Sequence, residues 1–227
     1  MKTTHIQIAL FSKNIIERPD ILGSSLNDKL NNIFDGIPTI IELPDNAPLD
    51  IPIAQYKSIS GIYNLNVARN RIDLIIAPDI TNNLKPTSVY EQYDSIIKEY
   101  CKVIVEQINI IRVGIITMLF KKANDNVKTI YEKYLKDDYK SDYKEISFRV
   151  NEQSSIDKTI INNIKMVEAQ TLTINKKNIE QPKQDGILIQ LDTNNAQINN
   201  VLLTYKLIME IYDSAKKTVS KETDEVL

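Results

Sequence analysis

Apolar residues recur along this chain at two spacings, and each spacing predicts a different kind of element. Every second residue is apolar in residues 62–68 and again in residues 71–77, which is typical of two half-buried strands. Arg69-Asn70 lies between them, and asparagine tolerates the left-handed backbone conformation that a tight turn requires. The pattern therefore predicts a β-hairpin with its turn at residues 69–70.

Helical spacing is sustained over several turns in two long segments. Ser88 and Glu91 form a capping-box pattern at the start of residues 88–108, and residues 196–217 carry a second apolar stripe. Shorter helical patterns occupy residues 24–36 and 127–135. Further strands are predicted at residues 5–11, 39–43, 53–59, 110–120, 145–150, 164–174 and 186–192.

The two long helical segments share residues at a constant separation along the chain. The matched residues are Tyr93, Ile96, Ile97 and Tyr100 in one segment and Tyr205, Ile208, Met209 and Tyr212 in the other. Leu10-Phe11-Ser12-Lys13 is similarly matched by Leu119-Phe120-Lys121-Lys122. Repetition at a long period is the signature of a duplicated structural unit.

The sequence therefore predicts an α+β fold of two similar halves related by a pseudo-twofold axis. Each half is expected to run strand, short helix, three or four mostly antiparallel strands and long helix. The halves are residues 1–109 and 110–217, in one compact unit, and residues 218–227 are expected to form a polar, frayed tail.

Composition and charge narrow the class of protein. The chain has 227 residues, of which 42% are hydrophobic and 26% charged, as is typical of a globular protein. Its formal net charge of −2 argues against binding of nucleic acid through an overall positive charge but allows local basic patches. Cys101 is the only cysteine, which favours a reducing compartment. Since no signal-peptide pattern or membrane-spanning apolar run is found, we expect a cytoplasmic protein with no membrane partner.

The residues that usually carry catalysis are scarce. His5 is the only histidine and lies in an N-terminal stretch that we expect to be mobile, which disfavours a catalytic triad or a His/Cys zinc site. Cys101 lies near the apolar face of a predicted helix, where a buried hydrophobe is favoured over a reactive thiolate. The five glycines are scattered, so no phosphate-binding loop is indicated. We therefore expect no enzyme activity, no cofactor and no metal.

Basic residues fall in three small sets that form a candidate interaction surface. The sets are Arg69, Asn70 and Arg71 at the hairpin tip, Lys121 and Lys122 at a strand end, and Lys176 and Lys177 in a loop. The first set lies near tyrosines and would suit contact with RNA or DNA, although charged hairpin tips also serve solubility. A long strand carrying Met166, Leu172 and Ile174 is predicted to lie at an exposed sheet edge, which invites strand addition by a partner or a second copy.

A proline-rich string in the first half is the basis of a family resemblance. It reads Phe34-Asp35-Gly36-Ile37-Pro38, Ile41-Glu42-Leu43-Pro44, Ala47-Pro48 and Ile51-Pro52. Together with Arg112-Val113-Gly114, it resembles a sporadically distributed bacterial family of unknown function with a similar Gly-x-Pro and Leu-Pro-x-x-Ala-Pro-x-x-Ile-Pro signature. The resemblance covers residues 34–120. It implies patchy occurrence, as in mobile islands or phage-defence loci, and supplies no catalytic residues.

Three functional hypotheses remain open from the sequence. The leading one is a non-catalytic protein-binding or assembly component of a bacterial defence or mobile-element system, acting through a protein partner or self-association. The alternative is a nucleic-acid-binding protein that uses the sheet surface or the Arg69/Arg71 hairpin. A third is an enzyme with a small-molecule pocket between the halves.

Overall fold

The structure is a computed structural model that describes residues 1–225 apart from residues 45, 83, 135–142, 173–174, 177–178, 181–182 and 197–200. The described residues form four helices and a nine-stranded antiparallel sheet, with a separate two-stranded ribbon. The expectation of an α+β protein is confirmed.

The elements are numbered in chain order. The first part of the chain contains β1 (Lys2–Ser12), α1 (Pro19–Lys29), β2 (Thr39–Ile40), β3 (Ala54–Lys57), β4 (Tyr63–Val67), β5 (Arg71–Ile76) and α2 (Pro86–Val105). The second part contains β6 (Ile110–Lys122), α3 (Asn126–Tyr134), β7 (Ser147–Ile156), β8 (Thr159–Leu172), β9 (Asn175–Lys176), β10 (Ile179–Glu180), β11 (Gln184–Asn195) and α4 (Tyr205–Glu225). Strands β9 and β10 form the ribbon.

The two parts of the chain share one sheet, which is joined at an antiparallel seam between β1 and β6. From this seam the strands run outward as β5, β4, β3 and β2 on one side and as β11, β8 and β7 on the other. Long strand β6 is largely apolar on both faces because it lies in the middle of the sheet, as its sequence predicts. The outermost strands are β2 and β7.

All four helices cover the same face of the sheet, which we call the helix face. One strand residue contacts each helix: Tyr56 contacts α1, Thr117 contacts α2, Phe148 contacts α3 and Lys165 contacts α4. The strand registers place all four residues on this face. The core lies between the helices and this face, where Ile8, Leu65 and Leu74 are fully buried. No helix of the described residues covers the opposite face, which we call the open face.

Helix α1 begins earlier than its sequence suggests. Serines 24 and 25 resemble a helix cap, but the helix starts at Pro19, because proline is pre-organised for the first helical position. The segment containing Arg18-Pro19-Asp20 is therefore the start of the helix. Gly23 allows the helix to pack closely on the sheet, since a Cβ there would lie 2.3 Å from the Tyr56 ring.

The two long helices also differ from prediction at their ends. Helix α2 starts at Pro86, and its N-cap residue Lys85 makes no side-chain capping bond, so the capping-box prediction is wrong. Helix α4 continues to Glu225 with Val219 buried, so the expected frayed tail at residues 218–227 is wrong as far as Glu225. Tyr205 is the first residue of α4, whereas Tyr93 lies two turns inside α2. The matched residues therefore occupy different positions within their helices.

The exposed edge of the second part of the sheet is β7, and the predicted edge strand is wrong. Met166 and Leu172 belong to β8, which pairs on both sides; Ile174 lies outside the described residues. Asp157 and Lys158 both have positive φ and form the two-residue turn between β7 and β8. This turn type favours glycine and asparagine, so the hairpin is difficult to recognise from sequence.

His5 is part of β1 and half-buried, so the prediction of a mobile N-terminus is wrong. Burial lowers the pKa of His5, opposed by its hydrogen bond with Gln7. Cys101 is buried, which confirms the expectation of a small core residue, and burial raises the pKa of its thiol to about 12.

Candidate interaction surfaces

The hairpin residues predicted as an interaction site lie at one end of the sheet. Arg69 and Asn70 form the turn between β4 and β5 at the predicted place, but Asn70 does not adopt the expected left-handed conformation. The Asn70 carbonyl accepts a hydrogen bond from the Ser12 backbone. Arg71 is partly buried and forms a salt bridge of 2.9 Å with Asp73, so its charge is already partly compensated. The hairpin is therefore tied to its neighbours rather than projecting freely.

The other predicted basic residues lie elsewhere. Lys121 and Lys122 are at the far end of β6 from Arg112, about 30 Å away at the rise of an antiparallel strand. Lys176 belongs to strand β9, and Lys177 is outside the described residues. The structure consequently does not bring the hairpin and the Lys121-Lys122 pair into one continuous patch.

A row of three side chains on the open face was not predicted as a site. Arg71, Phe11 and Arg112 lie directly across from one another on β5, β1 and β6. The two guanidinium carbons lie 5.0 Å and 4.9 Å from the centroid of the Phe11 ring, within the range of a cation–π contact. The Nε atom of Arg112 is buried without a hydrogen-bond partner among the described residues. Because Asp73 compensates part of the charge of Arg71, the row carries a net positive charge.

Strand β7 exposes one complete edge. It pairs only with β8 among the described strands, and most of its ten residues are exposed. The Ile146 carbonyl accepts a hydrogen bond from Ala169 of β8, so even-numbered residues direct their backbone groups toward β8. The backbone groups of the odd-numbered residues therefore point outward, and we call this row the β7 edge: Ser147, Arg149, Asn151, Gln153 and Ser155.

Side-chain amides form a ladder across the open face that ends at this edge. Asn162 of β8 donates to Asn194 of β11 over 3.1 Å. Asn151 and Gln153 of β7 both donate to the Asn162 oxygen, over 3.2 Å and 2.9 Å. Asn194 donates in turn to Asp192 over 2.9 Å. We call Asn194, Asn162, Asn151 and Gln153 the amide ladder; it orients two side chains of the β7 edge, those of Asn151 and Gln153.

A groove of about 350 Å³ lies beside β7 on the helix face. Its floor includes Val150 and Glu152 of β7, and its wall includes Lys217 and Lys221 of α4. The side of the groove beyond β7 has no wall among the described strands, because β7 is the outermost strand. A strand added to β7 would therefore close the groove.

A buried ion pair between Lys165 of β8 and Glu222 of α4 lies in the lining of the groove and joins the sheet to the helix. Glu222 is only 5% exposed, and its Oε1 atom has no hydrogen-bond partner among the described residues. Burial acts to lower the pKa of Lys165, but the hydrogen bond and charge of Glu222 outweigh it and raise the pKa. The pair holds α4 against the sheet next to β7.

Among the described residues, no three histidine, cysteine, aspartate or glutamate side chains converge as metal ligands would. None of the helices in that part of the chain combines the length and apolar character needed to cross a bilayer.

The features that sequence reasoning missed are relations between distant segments. Asn151 and Asn162 are unremarkable polar residues until the β7–β8 register places them side by side. The available signal was the run of residues 150–155, which is long, free of proline and nearly uncharged, as an edge open to pairing can be.

The comparisons with known proteins do not assign this chain to a class. No model of a known protein family matches it, and no curated protein matches it. The resemblance to a sporadically distributed bacterial family stays a prediction.

Proposed function

We propose that this protein is a non-catalytic protein-binding or assembly component that acts by strand addition at the β7 edge. The observation that carries the proposal is the edge itself: a ten-residue strand, mostly exposed, with one row of backbone donors and acceptors unpaired by any described strand. Unpaired strand edges are templates for pairing with another chain. The amide ladder supports the proposal because it pre-orders Asn151 and Gln153, two of the side chains that would flank the incoming strand.

A proline substitution tests strand addition. Asn151→Pro removes an outward-pointing N–H and leaves the bonds to β8 intact, whereas Asn151→Ala keeps the N–H and serves as the matched control. We expect tagged wild-type protein and Asn151→Ala to retain the same protein partners, and Asn151→Pro to lose them by tenfold or more in quantitative mass spectrometry. If folded Asn151→Pro retains those partners in full, strand addition at β7 is wrong.

The biological setting is part of the same proposal. The resemblance carried by the proline-rich string and Arg112-Val113-Gly114 supports a component of a bacterial defence or mobile-element system. Genomic neighbourhood provides its test. We expect genes for other components of such a system beside the gene for this chain, and housekeeping neighbours would contradict the setting without affecting the edge.

We also propose that the fold arose by duplication of one unit. Suppose that Leu10-Phe11 of β1 and Leu119-Phe120 of β6 are equivalent positions of the two units. The β1–β6 register is then symmetric: when a residue of β1 pairs with a residue of β6, their equivalents in the other strand also pair. Gln7 then lies opposite its own equivalent, Ile116, as a twofold axis through the seam requires. The matching outward order of the strands supports this proposal, and the helix offset is its main exception.

The row of Arg71, Phe11 and Arg112 favours a second candidate function, the binding of single-stranded nucleic acid on the open face. Basic side chains outnumber acidic ones on this face by the strand registers: Lys57, Arg71, Arg112, Lys122 and Arg149 against Asp73, Glu168 and Asp192. An open sheet that presents aromatic and arginine side chains is suited to stacking with bases and contact with phosphates.

Fluorescence anisotropy with labelled oligo-dT and oligo-U tests the second candidate. We expect salt-dependent binding that weakens tenfold or more in Arg112→Gln. Arg18→Gln is the matched control, because Arg18 is exposed and paired with Asp20 away from this face. Absence of binding at low salt, or equal binding by both variants, would remove nucleic acid from consideration.

A further inference from the structure

We infer that the β7 edge binds a second copy of this chain, with β7 of the two copies antiparallel and Asn151 opposite Asn151. The inference rests on the proposed strand addition and names the incoming strand. It predicts a twofold dimer in which one continuous sheet runs through both copies.

The backbone of β7 restricts how two copies can pair. A twofold axis perpendicular to the sheet keeps the open faces on the same side, so residues facing each other must both lie on the open face or both on the helix face. In β7 the residues with outward backbone groups are also those whose side chains lie on the open face. When the β7 edges of two copies pair, facing residues therefore lie on the same face of the sheet, and their outward backbone groups can bond to each other.

Charge and overlap select the register. With Asn151 on the axis, Arg149 faces Gln153 and Val150 faces Glu152, so no like charges are opposed. All five residues of the β7 edge then find partners. A register centred on Glu152 would place two carboxylates directly opposite each other, which is unfavourable. A register centred on Val150 would leave Ser155 without a partner.

The amide ladder continues into the second copy in this register. Asn151 donates one of its two amide hydrogens to Asn162, and the other can be donated to the Asn151 oxygen of the second copy. The ladder would then run from Asn194 through both β7 strands to Asn194 of the second copy. A ladder of amides along facing strands is a known source of cross-strand stability.

The groove provides charge complementarity on the helix face. Glu152 of the second copy would lie opposite Val150, which lines the groove together with Lys217 and Lys221. A carboxylate of the second copy would thus enter a groove lined by Lys165, Lys217 and Lys221 against Glu152 and Glu222. By symmetry the same contact forms twice.

Cysteine cross-linking of the full chain tests this register. Residues opposite each other in a hydrogen-bonded antiparallel pair have Cα atoms about 5.5 Å apart, which a disulfide can span. We expect Asn151→Cys to form a disulfide-linked dimer on oxidation. Gln153→Cys is the matched control, because it lies on the same edge but faces Arg149, and its own counterpart is about 14 Å away. Native Cys101 is buried and does not compete.

Sedimentation measures the association without any cross-link. We expect wild-type protein at twice the chain mass of 26.0 kDa and Asn151→Pro at the mass of one chain. A monomeric wild-type chain, or equal cross-linking of Asn151→Cys and Gln153→Cys, would overturn the second-copy inference. If the wild type is monomeric but Asn151→Pro still loses its protein partners, strand addition stands and only the identity of the strand is wrong. If folded Asn151→Pro keeps both the dimer and its partners, both proposals are wrong.

Discussion

The two outer edges of the sheet are built in opposite ways. At one edge, β2 contains only two residues and is followed by a connector interrupted by Pro44, Pro48 and Pro52. At the other edge, β7 contains ten residues, has no proline and carries only Arg149 and Glu152 as charges. Short edge strands and prolines are common protections against unwanted pairing.

The difference between the edges supports the proposal that β7 pairs with a partner strand. A chain that protects one edge of its sheet and leaves the other long and regular has an edge suited to pairing with a partner strand. The amide ladder and the groove occur only beside β7 among the described strands, and both would be extended by an added strand.

The largest expected effect concerns the anchor of α4 beside β7. Lys165→Met leaves Glu222 buried without its partner, and we expect it to lower the free energy of unfolding by about 3–5 kcal/mol. Lys98→Met is the control, because its pair with Asp94 is half-exposed and should contribute much less to stability. Urea denaturation measures both. Equal losses in the two variants would show that the buried pair does not anchor the helix.

The next prediction compares neighbouring positions of β7. Val150→Pro removes an N–H directed toward β8, and we expect a loss of about 3 kcal/mol in the free energy of unfolding. Asn151→Pro removes an outward N–H and should cost monomer stability less than about 1 kcal/mol. Denaturation at low protein concentration separates this effect from association. A larger loss of stability in Asn151→Pro than in Val150→Pro would mean that the backbone groups of the odd-numbered residues, not the even-numbered ones, point toward β8.

A smaller effect is expected at the protected edge. Replacing Pro44, Pro48 and Pro52 with alanine increases the freedom of the unfolded chain, and we expect each change to cost about 0.4–1 kcal/mol. Because β2 remains only two residues long, the sedimenting mass should not change. Larger assemblies in the triple variant would show that the prolines are the main protection of this edge.

The smallest effect concerns the seam between β1 and β6, away from both edges. Since the pKa of His5 is lowered in the folded protein, the unfolded chain takes up a proton first as the pH falls. Stability is therefore highest above the ordinary histidine pKa and decreases as the pH falls through it toward the lowered pKa of His5 in the folded protein. His5→Gln should remove this part of the decrease between pH 7.5 and pH 5.5. An unchanged pH profile would contradict the assignment to His5.

Local pattern predicted the fold where elements are strongly periodic. The β4–β5 hairpin and helix α2 follow directly from the spacing of their apolar residues. The start of α1 was missed because Ser24 and Ser25 resemble caps, whereas Pro19 begins the helix. Strand β7 was only partly predicted because most of its residues on both faces are polar and exposed.

The candidate site could not be predicted because it depends on strand order. Which strand lies at an edge is decided by pairings between residues far apart in the chain, such as those between β11 and β8. Arg71 and Arg112 likewise meet across Phe11 only through the two registers of β1. Basic pairs read along the sequence therefore predicted surfaces that the fold separates.

Hydrogen exchange at the backbone amides of Arg149 and Gln153 tests the role of the β7 edge most directly. Both N–H groups point away from β8, so in a lone chain they are exposed to solvent and exchange quickly. We predict that they are protected in concentrated wild-type protein and exchange quickly in Asn151→Pro. Equally fast exchange in the two proteins, with the β8 amides protected in both, would contradict pairing at this edge.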